Sequence, residues 1–247
     1  MKDKFSSLNN MPGHVTKAII LAGGLGTRLR SAVPDLPKCI APVNGVPFIS
    51  YVISHFMKQG IRDFIFALGY KSDLLESCIS TILPESDFRI SIEPDPLGTG
   101  GAIRLACADE KEENVVVSNG DTLFRVNVQA LAALHTEKKA QCTLALKPMK
   151  EFDRYGVVEL NNENTVRSFK EKQFYTEGLI NGGVYILNVP AFMHKSFPER
   201  FSFEKDFLEQ YYAEGTIFGL KDDAYFIDIG ISEDYDRAGV ELQPPVL

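Results

Sequence analysis

The sequence predicts an α/β protein: a Rossmann-like, doubly wound, mostly parallel sheet that continues into a smaller α+β lobe. Three observations predict it. From residue 17 to about 150, apolar runs of four to seven residues alternate with longer amphipathic ones, the rhythm of strands joined by crossover helices. Right-handed crossovers place such helices on both faces of the sheet. After about residue 150 the rhythm breaks into short strands and single helices.

The elements follow in order. "KAIILA" (17–22) is a buried strand, and "PFISYVISHFMKQG" (47–60) a helix with Pro at its start and Gly60 just past its end. "RDFIFAL" (62–68), "FRISIE" (88–93) and "NVVVS" (114–118) are further strands. "KSDLLESCISTIL" (71–83) and the glycine-rich "GTGGAIRLACAD" (98–109) are the helices between them. "NVQALAALHTEKK" is a fourth helix and "QCTLALKPM" (141–149) a fifth strand. In the second half, "YGVVELN" and "TVRSFKEK" form a hairpin about "NNEN". "GLINGGVYILN" is a strand, "SFEKDFLEQYYAEG" a helix, and "IFGL" and "YFIDIG" short strands. "SEDYDRAGVEL" is a closing helix with Ser232 as its N-cap. One globule with two lobes is expected: residues 1–16 a flexible extension, 17–150 the first half, 151–242 the second half and 243–247 a tail.

The 247 residues are 45% apolar and 24% charged, with a net charge of −7, ordinary for a globular protein. An acidic balance argues against general nucleic-acid binding, so local clusters of Lys and Arg are informative. Cys39, Cys78, Cys107 and Cys142 are scattered without a CxxC pair, which excludes a disulfide framework and fits a reducing cytoplasm. The first 16 residues have no apolar signal core, and no stretch reaches the ~18 apolar residues of a membrane span.

Ligands of doubly wound sheets sit beyond the carboxyl ends of the strands, which directs attention to 23–38, 93–101 and 119–122. "AGGLGTRL" fits neither GxxxxGK[ST] nor GxGxxG, since Leu29 stands where the last glycine would be. Its physics is nevertheless that of a phosphate cradle. Glycines let backbone N–H groups approach an anion, Arg28 offers a forked donor and Lys38 a point charge on a segment stiffened by Pro37. A plain strand-to-helix turn with solvated charges is the alternative. Asp121 in "SNGDTLF" and Asp228 in "YFIDIG" each follow a strand, where a carboxylate either caps a turn or holds a hard cation such as Mg2+.

"GGLGTRL" followed by "LPK" resembles the signature of the sugar-1-phosphate nucleotidyltransferases, G-G-x-G-T-R-L-x-P-x-T-x-x-x-P-K. The match departs after Leu29, where "RSAVPDL" lacks the usual Thr and shortens the spacing to Lys38. The resemblance runs from about residue 17 to 240 and implies the nucleotide-diphospho-sugar transferase fold, with 17–150 as its nucleotide-binding half and 151–242 as its sugar-binding half. It also implies that nucleoside triphosphate and sugar 1-phosphate give nucleotide-sugar and pyrophosphate. Carried over residue by residue, it implies nucleotide contacts at Leu21, Ala22, Gly23, Gly24, Gly26, Thr27, Arg28, Lys38, Glu93, Pro96, Gly98, Thr99, Gly120 and Asp121. Asp121 and Asp228 would share a Mg2+ ion. Gly156, Glu171, Lys172, Asn181 and Gly182 would bind the sugar phosphate. Arg28, Lys38, Asp121 and Lys172 would be the catalytic set.

In "IEPDPLGTGGAI", Glu93 holds the base-reading position, and a carboxylate accepts two parallel hydrogen bonds from the N1–H and N2–H2 edge of guanine. This favours GTP, although uridylyltransferases carry similar segments. The motifs together are most similar to those of guanylyltransferases for heptose 1-phosphate, which feed bacterial surface glycans. GTP and heptose 1-phosphate are thus the implied substrates, with a homodimer compatible with relatives and neither nucleic acid nor membrane as partner. The chain ends soon after Asp228, leaving no room for the left-handed β-helix of some relatives. Two alternatives stay open: uridylyl or thymidylyl transfer to a hexose or muramate 1-phosphate, and a non-catalytic nucleotide-sugar-binding regulatory subunit.

Overall fold

The computed structural model describes residues 14–24, 36–69, 71–83 and 88–246. Gly26, Thr27 and Arg28 lie outside these described residues.

The first half is built as its pattern predicts. Strands β1 (Lys17–Leu21), β4 (Asp63–Leu68), β5 (Phe88–Ile92) and β6 (Asn114–Asn119) pair in parallel in the order β6-β1-β4-β5. Helices α1 (Phe48–Lys58), α2 (Ser72–Ile82) and α3 (Gly98–Ala106) lie between them in sequence, and α4 (Val128–Lys138) follows β6. Strand runs are apolar without alternation because both faces are covered. Ala18 and Ile20 of β1, with Phe64 and Phe66 of β4, enter one core layer with α1, α2 and α4. Ile19 and Ile65 enter the opposite layer with Ile103 of α3. Full burial of such side chains is worth roughly 1.5–3 kcal/mol each. Between β1 and α1 the chain makes a 3-10 turn, Lys38–Ile40, and the small ribbon β2 (Pro42–Val43) and β3 (Val46–Pro47).

The second half differs from a simple continuation of the parallel order. The fifth strand, β8 (Cys142–Phe152), does not join β6. The 14-residue β11 (Tyr175–Asn188) comes between them, antiparallel to both. β9 (Val157–Leu160) and β10 (Val166–Lys170) form the expected hairpin beyond β11, and β12 (Ile217–Lys221) runs parallel to β8. The reason is local: a bulge between Asn181 and Tyr185 bends β11, so one continuous strand serves both halves. Gly183 makes the bend at φ +71°, where a Cβ would lie 2.6 Å from the Asn119 amide nitrogen.

The strand expected at 225–230 leaves the main sheet. β13 (Phe226–Asp228) pairs antiparallel with β7 (Thr122–Phe124), a strand the apolar pattern did not separate from β6. A short helix, α5 (Val189–Met193), follows β11. The helix expected over 202–215 begins as a π turn (Phe203–Leu208), passes through α6 (Glu209–Tyr211) and closes as a 3-10 turn (Tyr212–Glu214). The closing helix, α7, spans Ser232–Glu241 with Ile231 rather than Ser232 at its cap position.

Residues 14–16, placed in the flexible extension by the sequence reading, pack onto the domain. Val15 is buried, the Thr16 carbonyl accepts the Arg62 amide at 2.8 Å, and His14 Nδ1 shares a 3.0 Å hydrogen bond with Gln129 Oε1. All four cysteines are free.

Candidate functional site

Two adjoining cavities open at the carboxyl ends of the parallel strands, where this topology puts ligands. The first measures about 620 Å3. Leu21, Ala22, Gly23 and Gly24 supply one wall as the chain leaves β1, and Lys38 projects from the 3-10 turn opposite. Glu93, Pro96, Gly98 and Thr99 supply the far side, and Asp121 closes the end beyond β6. Ten of the residues predicted to bind nucleotide therefore meet in one cavity, and the ends of β1, β5 and β6 carry most of them there.

Lys38 Nζ lies 3.6 Å from Asp121 Oδ2. Asp228 reaches the same place through the β7–β13 ribbon, whose register sets it opposite Thr122, while the Ile229 amide donates to the Asp121 carbonyl at 3.1 Å. Burial and then the Asp228 carboxylate push the Asp121 carboxyl above its ordinary range, and Lys38 opposes them. Like charges held this close form a pair that a cation would relieve. Among the described residues no cluster of three or more His, Cys, Asp or Glu side chains exists. The described residues thus offer two carboxylates here, which fits a cation that takes its other ligands from phosphate and water.

Glu93 enters at the end of β5, its amide bonded to the Leu68 carbonyl at 2.9 Å. Its Oε2 accepts the Leu97 amide at 2.9 Å, which fixes the carboxylate and leaves acceptor capacity toward the cavity. Burial raises its pKa, with the Leu97 hydrogen bond opposing. A Cβ at either Gly23 or Gly69 would lie 2.7 Å from Glu93 Oε1, so both glycines make room for this carboxylate. Gly69 carried no recognised motif; its place at the end of β4 was the available signal.

The "GTGG" turn does two jobs. Gly98 lines the cavity at φ +76°, and a Cβ there would meet the Phe201 carbonyl oxygen at 2.5 Å. Gly100 packs against the other half: a Cβ would lie 2.2 Å from the Phe201 ring, and its amide donates to the Phe201 carbonyl at 3.0 Å. Thr99 Oγ1 donates to Glu204 Oε2 at 2.8 Å and accepts the Phe203 amide at 2.9 Å. These bonds clamp the start of α3 to the π turn of the other half.

The second cavity, about 340 Å3, is lined by Gly156, Glu171, Lys172 and Asn181 of the predicted sugar-phosphate set. Asn181 is oriented at both ends of its amide: Nδ2 donates to the Tyr185 hydroxyl at 2.8 Å and Oδ1 accepts the Gly183 amide at 3.1 Å. Glu204 lines both cavities, so the two are contiguous. Sequence reasoning missed Glu204, along with Tyr155, Lys205 and Glu209 of the second cavity. A π turn facing α3 leaves no spacing signal in a chain read one segment at a time.

Three predicted residues line neither cavity. The Gly120 amide donates to the Leu21 carbonyl at 2.8 Å, closing β6 onto β1. Gly182 faces the Phe124 ring, which a Cβ would approach to 2.4 Å. Asp228 stands opposite Thr122 in the ribbon, beside Asp121. Cys39 does line the first cavity, but burial raises its thiol pKa far above the usual range, which removes it as a nucleophile.

This fold and site define a class. The chain belongs to the nucleotidyl transferase family, whose model matches residues 17–243. It is 50% identical over 227 residues to the D-glycero-alpha-D-manno-heptose 1-phosphate guanylyltransferase of Aneurinibacillus thermoaerophilus, covering 92% of this chain and 98% of that one. It is 42% identical over 219 residues to the protein of the same name from Campylobacter jejuni, covering 89% and 96%. The crystal structure of HddC from Yersinia pseudotuberculosis complexed with GMP-PN superposes with a TM-score of 0.83 at 34% identity, over 92% of this chain and 99% of that one.

Proposed function

We propose that this protein transfers GMP from GTP to D-glycero-α-D-manno-heptose 1-phosphate, giving GDP-heptose and pyrophosphate. The observation that carries the reading is the contiguity of two differently equipped cavities. One joins a glycine loop, Lys38, Asp121 and a cavity-facing glutamate; the other joins Lys172, Glu171 and Asn181. The 50% identity to a heptose 1-phosphate guanylyltransferase supports the sugar and the base.

In this reading Glu93 accepts the N1–H and N2–H2 donors of guanine, and the amides after β1 and Lys38 hold the triphosphate. Lys172 holds the sugar phosphate so that one of its oxygens faces the α-phosphorus. That oxygen forms the new P–O bond as the bond between the α-phosphorus and its bridging oxygen to the β-phosphorus breaks. Pyrophosphate leaves with the electron pair. Lys38 stabilises charge growing on the transferring group. A sugar phosphate is already anionic at neutral pH, so no histidine base is required. Asp121 and Asp228 would hold a divalent cation, Mg2+ in the present proposal. The charge such a cation supplies would offset that of the phosphates held by Lys38 and Lys172.

No helix among the described residues is long and apolar enough to cross a membrane. The four free cysteines and the nucleotide substrate support a cytoplasmic location. Pyrophosphate release, measured with four nucleoside triphosphates against several sugar 1-phosphates, tests the reading. Release should be greatest with GTP and heptose 1-phosphate. Greater release with UTP and a hexose 1-phosphate would refute it, and no release with any pair would favour a binding subunit.

A further inference from the structure

Tyr155 sits in the β8–β9 connection, immediately before Gly156, and lines the sugar-side cavity. Its hydroxyl points the other way, donating to Asp228 Oδ2 at 3.3 Å. The opposite oxygen, Oδ1, accepts the Gly230 amide at 2.8 Å. Both oxygens of Asp228 are therefore engaged from the protein side. Each keeps a further lone-pair direction, because an ionised carboxylate has about four acceptor sites. A Cβ at Gly230 would lie 2.8 Å from Oδ1, so the space beside this carboxylate is closely fitted.

Tyr155 is itself held. Arg154 Nη2 donates to the tyrosine oxygen at 3.5 Å, which turns the phenolic proton toward Asp228, and the Arg154 guanidinium carbon lies 5.5 Å from the Tyr155 ring centre. Arg154 is paired with Asp234 of α7, a buried carboxylate that also meets Arg237 at 3.2 Å. On its other side the Tyr155 ring packs edge-on against Phe226 of β13 at 6.1 Å. The line α7–Asp234–Arg154–Tyr155–Asp228 thus runs from the closing helix, through the sugar lobe, to the carboxylate pair.

We propose that Tyr155 is a positioning residue that orients Asp228 for the divalent cation, with Arg154 and Asp234 holding Tyr155 in turn. The proposal rests on the reading of Asp121 and Asp228 as cation ligands. Hydrogen-bond partners behind metal ligands fix ligand orientation, and their loss typically lowers metal affinity by about 10–100-fold. Because Tyr155 also walls the sugar cavity, the same side chain joins the sugar lobe to the cation.

The test is Mn2+ binding to the substrate-free protein, followed by electron paramagnetic resonance, for wild type, Tyr155→Phe, Asp228→Asn and the double variant. Tyr155→Phe keeps the ring against Phe226 and Arg154 and removes only the donor. It should weaken Mn2+ binding about 10-fold with an unchanged melting temperature. In turnover it should raise the metal concentration for half-activation while leaving KM for the sugar phosphate unchanged. Adding Tyr155→Phe to Asp228→Asn should weaken binding no further, since coupled residues are non-additive. If Tyr155→Phe proves unstable, Arg154→Met tests the same line and should weaken Mn2+ binding by a smaller factor. Unchanged Mn2+ affinity in Tyr155→Phe, beside a clear loss in Asp228→Asn, would overturn the positioning role. So would a raised sugar-phosphate KM with intact Mn2+ affinity, which would make Tyr155 a sugar contact. Full Mn2+ binding by Asp228→Asn would instead overturn the carboxylate-pair reading itself.

Discussion

Lys38 Nζ lies 3.6 Å from Asp121 Oδ2, across 83 residues of sequence. One group arrives on the 3-10 turn after β1 and the other at the end of β6, so the contact joins the phosphate-facing cation to the proposed metal carboxylate. A triphosphate entering here would find positive charge already placed beside the acid that holds its counter-ion.

Lys38→Ala should reduce turnover at least ~100-fold, about 2.7 kcal/mol at 1.36 per decade. In its proposed role the group meets charge that develops at the α-phosphorus, so the loss should fall on kcat as well as on kcat/KM. Steady-state pyrophosphate release checks this, and near-normal turnover would remove Lys38 from the reaction.

Asp121→Asn should abolish activity at every Mg2+ concentration while circular dichroism and the melting temperature stay near wild type. The side chain keeps its shape and loses the charge a cation needs. Activity that recovers when Mg2+ is raised would mean that Asp121 contributes only affinity and that the cation is held mainly elsewhere.

The base contact proposed for Glu93 would link base choice to pH. Burial raises its carboxyl pKa in the fold, so protonation begins at a higher pH than for an ordinary glutamate. A protonated Glu93 cannot accept both guanine donors. The GTP-to-UTP ratio of kcat/KM should therefore fall as pH is lowered toward the ordinary carboxylate range, and Glu93→Gln should have a low, pH-independent ratio. The same shift has a stability sign. A raised acid pKa favours the neutral form, so the ionised carboxylate costs the fold stability above that range, and the cost vanishes below the unfolded pKa. Glu93→Gln should accordingly melt higher at neutral pH. An unchanged substrate ratio would dismiss Glu93 as the base reader.

His135 gives a second pH signature, away from the site. Burial lowers its pKa from 6.5 to about 4, and its ring is bonded to Thr143 Oγ1 and Asn114 Oδ1, each at 3.0 Å. The unfolded chain takes up the proton first, so its contribution is complete above pH 6.5 and is lost as pH falls from 6.5 toward 4. His55 behaves alike, its pKa also lowered to about 4 by burial. Denaturant titrations across this window should show a shallower slope for His135→Gln than for wild type. An identical slope would show that His135 does not titrate on unfolding.

The parallel half of the fold was legible because its signals are local. Ile19 and Ile20 of a single run enter opposite core layers, which is what an unbroken apolar strand implies. Lys38, Glu93 and Asp121 were legible because strand ends mark ligand loops. The antiparallel insertion of β11 was not, since it depends on a bulge at Gly183 whose meaning appears only once Asn119 stands against it. The meeting of Asp121 with Asp228 came from family resemblance, and its physical cause is a two-stranded ribbon of three-residue strands, too short for a periodic signal. The need for a bare Gly100 comes from the Phe201 ring, a partner about 100 residues away that no local composition rule reveals.

The central claim is that the bond broken lies on the far side of the α-phosphorus. Incubation with heptose 1-phosphate and Mg2+ plus GTP labelled with 32P at either the α or the γ position tests it most directly. The α label should appear in GDP-heptose and the γ label in pyrophosphate. Release of the γ label as inorganic phosphate, or an α label that never joins the sugar, would contradict the account.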